Sequence, residues 1–160
     1  MKPEGPARHF LLAFLLAVAG YIVCYQAIEH RRTHNGPWRV TFTRHEAGAP
    51  LLLINQPLLR ITNVQVEFAA EALPATHLPM TMVFDQPKPV PYPVPFGSCV
   101  FMDTTFLPGT VTLELFGHEI ELLPRVLVLD RQEHPWRSNS STPLPHASEV
   151  RGASVKQATK

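Results

Sequence analysis

The chain has 160 residues, 17 prolines and a formal net charge of +1. So small a charge excludes a global field that would draw in nucleic acid or strongly acidic partners. With the first apolar stretch set aside, the length suffices for one small domain with its own core and excludes two.

Residues 1–9 form a short leader with Lys2, Arg8 and two prolines, Pro3 and Pro6. Residues 10–28 then run without a formal charge. As a helix they span roughly 28 Å, about the thickness of a bilayer's hydrocarbon core. A soluble core helix alternates apolar and polar faces, and this stretch is apolar all round. Ala17-Val18-Ala19 fits a signal-peptide cleavage site, yet the apolar run continues past it through Tyr21, Ile22, Val23 and Tyr25. An uncleaved, single-pass signal-anchor is the better reading, with Tyr21 and Tyr25 as interfacial anchors. The lipid bilayer is thus the first expected partner, through residues 10–28. The basic leader favours an N-terminus inside and a domain outside the cytoplasm, while Arg31, Arg32 and Arg39 pull the other way.

Residues 29–35 read as a juxtamembrane linker. His30 and His34 are spaced to share a helical face and hold a metal, but no further ligand lies nearby in the sequence. A solvated segment beside lipid phosphates is the plainer reading. Cys24 lies in the apolar run and Cys99 beyond it, so the domain holds no internal disulfide.

Residues 36–130 carry the patterns of a β domain. Trp38, Val40 and Phe42 alternate with Arg39, Thr41 and Thr43, the mark of a half-buried strand. A short apolar strand follows at 51–54, between turns rich in Gly, Pro and Asn. Within 58–68 the alternation slips: Leu59 and Ile61 share one parity, and Val64, Val66 and Phe68 the other. An extra residue near Thr62-Asn63 brings both groups to one face, which predicts a β-bulge. Residues 69–79 read as a loop and 80–85 as a strand.

Pro87, Pro89, Pro91, Pro93 and Pro95 come next, always an even number of residues apart. That spacing does not suit a groove reading PxxP. In an extended chain it strips donors from one edge only, which predicts a segment extended throughout, paired as an edge strand only towards its end and sterile on the other side, with an unpaired polyproline-type rod as the alternative.

Residues 98–103 read as a strand, and Leu107-Pro108-Gly109 has the composition of a type II turn. Gly117-His118 suits a two-residue hairpin turn between 110–116 and 119–123. That register sets Leu115 against Ile120, Leu113 against Leu122 and Glu114 against Glu121. Facing carboxylates repel, so a cation is expected nearby, either Arg60 or Arg125 or a basic group of a partner. Glu114 and Glu121 are therefore the candidate binding residues. Residues 126–129 are a continuous apolar run, and 131–160 read as a polar, largely disordered tail. Asn139-Ser140-Ser141 matches a glycosylation acceptor, which has meaning only on a eukaryotic secretory route.

The expected fold is a single N-terminal transmembrane helix followed by an all-β domain, an antiparallel β-sandwich of about seven or eight short strands. No Gly-rich phosphate loop, GxSxG or paired-cysteine zinc spacing occurs. The enzyme reading is a Cys99 nucleophile with His118 as base and Asp103 or Asp130 as orienter. The simpler expectation is a non-catalytic binding or assembly module of an envelope complex, contacting another membrane or envelope protein, without cofactor, metal or nucleic acid.

Overall fold

The computed structural model describes residues 6–46, 48–73 and 79–146. It divides into two compact units, one ending at His34 and the other beginning at Asn35.

The first unit is one helix, α1 (Pro6–Thr33). It extends past both ends of the 10–28 stretch and takes in part of the expected linker. Pro6 opens it, a position where the missing N–H has no intrahelical partner to lose. His30, Arg31 and Arg32 occupy the last turn, where cations complement the negative end of the helix dipole. Arg32 also meets Glu29 at 3.2 Å, and the Thr33 hydroxyl donates to the Glu29 carbonyl at 3.0 Å. Every residue from 7 to 28 is exposed. The helix is long and apolar enough to cross a membrane.

The second unit contains eleven strands among the described residues, in two sheets. The first five are β1 (Trp38–Arg44), β2 (Pro50–Gln56), β3 (Ile61–Phe68), β4 (Met80–Phe84) and β5 (Tyr92–Val94). They are followed by β6 (Gly97–Asp103), β7 (Thr110–Leu115), β8 (His118–Leu122), β9 (Val126–Leu129), β10 (Gln132–Pro135) and β11 (Ser141–Leu144). One sheet has the order β11-β3-β2-β1-β4, the other β10-β9-β8-β7-β6-β5. All pairings are antiparallel except β11 beside β3. Both sheets feed one buried cluster: Val40, Phe42, Leu52, Ile54 and Val66 from the first, and Leu113, Leu115, Ile120 and Leu122 from the second. This is the expected sandwich, with more strands than the apolar pattern suggested.

The surplus lies largely after Asp130. β10 (QEHP) and β11 (STPL) have no apolar alternation, and composition places both in the tail. Backbone pairing with β9 and β3 makes them strands, because ladder hydrogen bonds need no apolar side chain. Trp136 pins the connection between them. Its ring lies 5.1 Å from that of Trp38, and its Nε1–H donates to the Leu123 carbonyl at 2.9 Å. Residues 147–160, the rest of that tail, lie outside the described residues.

Two local expectations meet different outcomes. The bulge is where the parity slip puts it: Thr62 and Asn63 together oppose Asn55, since Ile54 pairs with Val64 and Gln56 with Ile61. Asn63 takes a left-handed φ of 54° there, and its N–H donates to Asn55 Oδ1 at 2.8 Å. The type II turn at Leu107-Pro108-Gly109 is not formed. The Leu107–Pro108 bond is cis, and Gly109 lacks the positive φ such a turn demands. Glycine is required there by contact, because a Cβ would lie 1.5 Å from the Asp103 carbonyl oxygen. The Gly109 carbonyl in turn accepts the Trp38 Nε1–H at 2.7 Å.

The start of the sandwich is held by one buried amide. Gln56 Nε2 donates to the carbonyls of Asn35, Gly36 and Pro37 at 2.6, 2.8 and 3.2 Å. Its Oε1 accepts from Leu58 and Leu59, capping a 3-10 turn at Pro57–Leu59. Leu59 therefore leaves the strand that the sequence pattern assigned to it. Replacing this side chain by an apolar isostere strands several polar groups at once. Gln56→Leu is expected to lower the unfolding free energy of the 35–160 domain by about 3 kcal/mol in chemical denaturation; a loss below about 0.5 kcal/mol would show that water replaces the amide.

Candidate functional site

The β7–β8 hairpin turns one residue earlier than its glycine suggested. Phe116 and Gly117 are the turn residues, with φ of 51° and 83°, both left-handed as a type I′ turn needs. His118 is pulled out of the turn into β8 and buried. Two tertiary contacts favour this. The Phe116 ring stacks on Phe96 at 5.5 Å and lies 5.1 Å from Phe68, and His118 Nδ1 sits 2.6 Å from Asp130 Oδ2.

The register shifts accordingly. Glu114 stands opposite Glu119, and Glu121 stands opposite Thr112, so the expected Glu114–Glu121 pair does not form. The leucines remain inward, because the shift is by two residues and preserves the face. A facing pair of carboxylates still exists, with Glu119 in place of Glu121. Neither Arg60 nor Arg125 makes an ion pair with these glutamates among the described residues. Arg60 caps the 3-10 turn beside β3, on the other sheet.

Of the residues of the enzyme reading, His118 and Asp130 meet, but Cys99 is not brought to them. Cys99 pairs across to Leu113 and thence to Ile120, two residues along β8 from His118. Two strand spacings and two residues put the Cα atoms about 12 Å apart. The buried thiol donates to the Phe101 carbonyl at 3.5 Å, and burial pushes its pKa up, away from the thiolate a nucleophile needs. Asp103 has a different task. It accepts the Thr105 N–H at 2.9 Å, and that bond holds its carboxyl below the usual range. His118 and Asp130 do meet, but as a fastening. Asp130 Oδ1 accepts the Glu119 N–H at 3.0 Å, and its own N–H donates to the Glu119 carbonyl at 2.8 Å. The carboxylate thus ties β8 to the Asp130-Arg131 turn, where both residues have positive φ. At the end of the helix, the rings of His30 in its last turn and His34 just beyond it stand edge-on at 6.1 Å, and among the described residues no group of three metal-ligating side chains forms.

What sequence reasoning missed is an edge. The two sheets end in β11, β4, β10 and β5. β11 contains Pro143, β10 contains Pro135 and β5 contains Pro93. In β5, Tyr92 and Val94 pair with Cys99 and Gly97, so the intervening Pro93 turns its nitrogen to the free side. Of these four edges only β4, Met-Thr-Met-Val-Phe, has neither proline nor charge. Its register on β1 places Met80, Met82 and Phe84 on the inner face and Thr81 and Val83 outward. Met80 stands opposite the fully buried Phe42 yet is 50% exposed, and Val83 is 42% exposed. Alternate backbone groups of β4 point away from β1 with no strand to receive them among the described residues.

Two measurements check the geometry. Glu114→Gln relieves the Glu114–Glu119 repulsion and is expected to raise the denaturation midpoint of the 35–160 domain, by up to about 1 kcal/mol in stability; a fall would reveal a compensating cation. Cys99 is expected to resist maleimide in the folded domain and react on unfolding, and rapid labelling of the native state would restore the thiol chemistry.

No protein-family model, no curated protein and no solved structure matches this chain, so its functional reading rests on its own residues.

Proposed function

We propose that the chain is a single-pass, membrane-anchored binding or assembly module, non-catalytic, that docks by strand addition at β4. The helix remains as an uncleaved signal-anchor, and the sandwich stands outside the cytoplasm as part of an envelope assembly. The observation that carries the reading is the contrast among edges: three contain a proline, and β4 is uncharged and, among the described residues, unpaired on its outer side. An open, apolar edge is a hazard for a soluble domain unless it is used. Strand addition uses it well, since the main chain supplies the hydrogen bonds and alternate side chains supply selectivity. The carboxylates of Glu114, Glu119 and Glu121, outward on the six-stranded sheet, bias approaching surfaces of negative charge away from that face.

Two expected outcomes test the proposal. A reporter active only outside the cytoplasm, fused after Lys160, should be active; silence there, with a bright cytoplasmic reporter at the same position, would reverse the orientation. Val83→Lys places a charge on the open edge and should cut recovery of crosslinked complexes from native membranes by tenfold or more. Undiminished recovery would remove β4 as the docking edge.

A further inference from the structure

We propose that the end of the sandwich where the chain enters is itself a lipid-binding surface, docked on anionic phospholipid headgroups by Leu58, Phe106, Arg60, Arg125 and Arg137. The inference rests on the reading of α1 as a membrane anchor and goes beyond it, because it concerns the domain's own surface. Connectivity brings this end to a bilayer. The Gln56 amide holds the carbonyls of Asn35, Gly36 and Pro37, so the chain is fastened to the domain from Asn35 onward. α1 ends at Thr33, two residues earlier. A trans chain advances at most about 3.6 Å per residue, which limits the free link to about 7 Å whichever way the domain faces.

Connections between strands close the sandwich at two ends. Beside the entry at 35–37 lie 57–60, 85–91, 104–109, 123–125 and 136–140. Trp38 stands opposite Phe84 and donates to the Gly109 carbonyl, which sets two of these beside the start of β1. Arg137 lies between Trp136, which donates to the Leu123 carbonyl, and Ser138, whose hydroxyl donates to the Arg60 carbonyl. The three arginines therefore share one end. Its connections hold Arg60, Lys88, Arg125 and Arg137 against Asp85 alone. Asp103 ends β6 on this side, where its carboxylate accepts the Thr105 N–H, and Arg39 in β1 offsets its charge. The opposite connections, 45–49, 69–79, 95–96, 116–117 and 130–131, hold Glu46, Glu71 and Asp130 against Arg131 alone. A net charge near zero thus conceals two ends of opposite sign.

Exposed apolar side chains divide the same way. Leu58, 66% exposed, and Phe106, 59% exposed, are the most exposed large apolar side chains of the second unit, and both lie in entry-side connections. Leu58 stands beside the entry itself, since a Cβ on Gly36 would lie 3.6 Å from its Cδ1. Among the described residues, no connection at the far end exposes a large apolar side chain. Apolar groups that enter the acyl boundary, beside arginines that meet phosphates, are the composition of an interfacial membrane contact. A short tether to an inserted helix keeps that lipid surface at high effective concentration, so even a weak contact is occupied.

The test places the 160-residue chain, with Cys24→Ser, in vesicles of equal parts phosphatidylcholine and phosphatidylglycerol, and in vesicles of phosphatidylcholine alone. Bimane is attached singly at Leu58→Cys, Phe106→Cys, Glu46→Cys at the far end and Phe14→Cys in α1, while the buried Cys99 stays unlabelled. Positions 58 and 106 are exposed, so neither substitution opens the core, and each variant keeps the other apolar contact. β1 sets the two ends about 20 Å apart, enough for lipid-borne nitroxides to tell them apart. In the anionic vesicles, quenching at 58 and 106 should exceed that at 46 by about threefold or more, and it should fall at least twofold without phosphatidylglycerol. Quenching at 58 and 106 no greater than at 46, with bimane at 14 still quenched, would overturn the docked end and leave the anchor standing. Absence of quenching at 14 would overturn the anchor and the inference with it. Equal quenching at 58 and 106 in both lipids would overturn anionic headgroups as the partner.

Discussion

Backbone donors and acceptors along the margin of a sheet must be satisfied by water or by another strand. This sandwich has four such margins among its described residues, and their treatment is uneven. Proline lies within β5 and β11 and ends β10, while β4 is left with an intact, uncharged backbone edge. The unevenness is informative because a proline inside an edge strand weakens its ability to template a further strand. Among the described residues, three of the four edges thus carry a proline and the fourth carries none.

The interior explains why these edges lie where they do. Trp38, at the start of β1, contacts Trp136 between the last two strands and bonds the Gly109 carbonyl ahead of β7, so one side chain ties the chain's beginning, middle and end. At the other end of the sheets, Phe42, Phe96, Phe116 and Phe68 form a run of ring contacts at 5.1–5.6 Å. Two of these phenylalanines, Phe96 and Phe116, have positive φ, a costly conformation for a bulky residue. The ring contacts hold them there. With the turns so fixed, β5 folds back on β6 as a three-residue edge, and β8 takes the register that buries His118 against Asp130.

Much of this architecture was legible in the residues. Alternation at Trp38, Val40 and Phe42 marked β1, the parity slip between Ile61 and Val64 marked the bulge, and even proline spacing marked an edge strand, which forms only at Tyr92–Val94 and not over residues 87–91. Three features were hidden for physical reasons. The strands QEHP and STPL are stabilised by backbone pairing and by Trp136, neither of which leaves a periodic apolar signal. The hairpin glycine is compatible with a turn at 116–117 or at 117–118, and only the tertiary contacts of Phe116 and His118 choose between them. The open edge was invisible for a further reason. That residues 80–84 form a strand follows from the local sequence, but that this strand ends its sheet follows only from the positions of all the others. Glu114 illustrates the same limit: a carboxylate opposite it was foreseeable, and its identity as Glu119 was not.

Amide hydrogen exchange at β4 tests the central claim most directly, by comparing the isolated 35–160 domain with the 160-residue chain inserted into a membrane. Residues 80–84 should exchange fast at their outward amides in the isolated domain and become protected in the membrane, while Tyr92 and Val94 of β5 remain unchanged. Identical exchange of β4 in both settings would contradict the account.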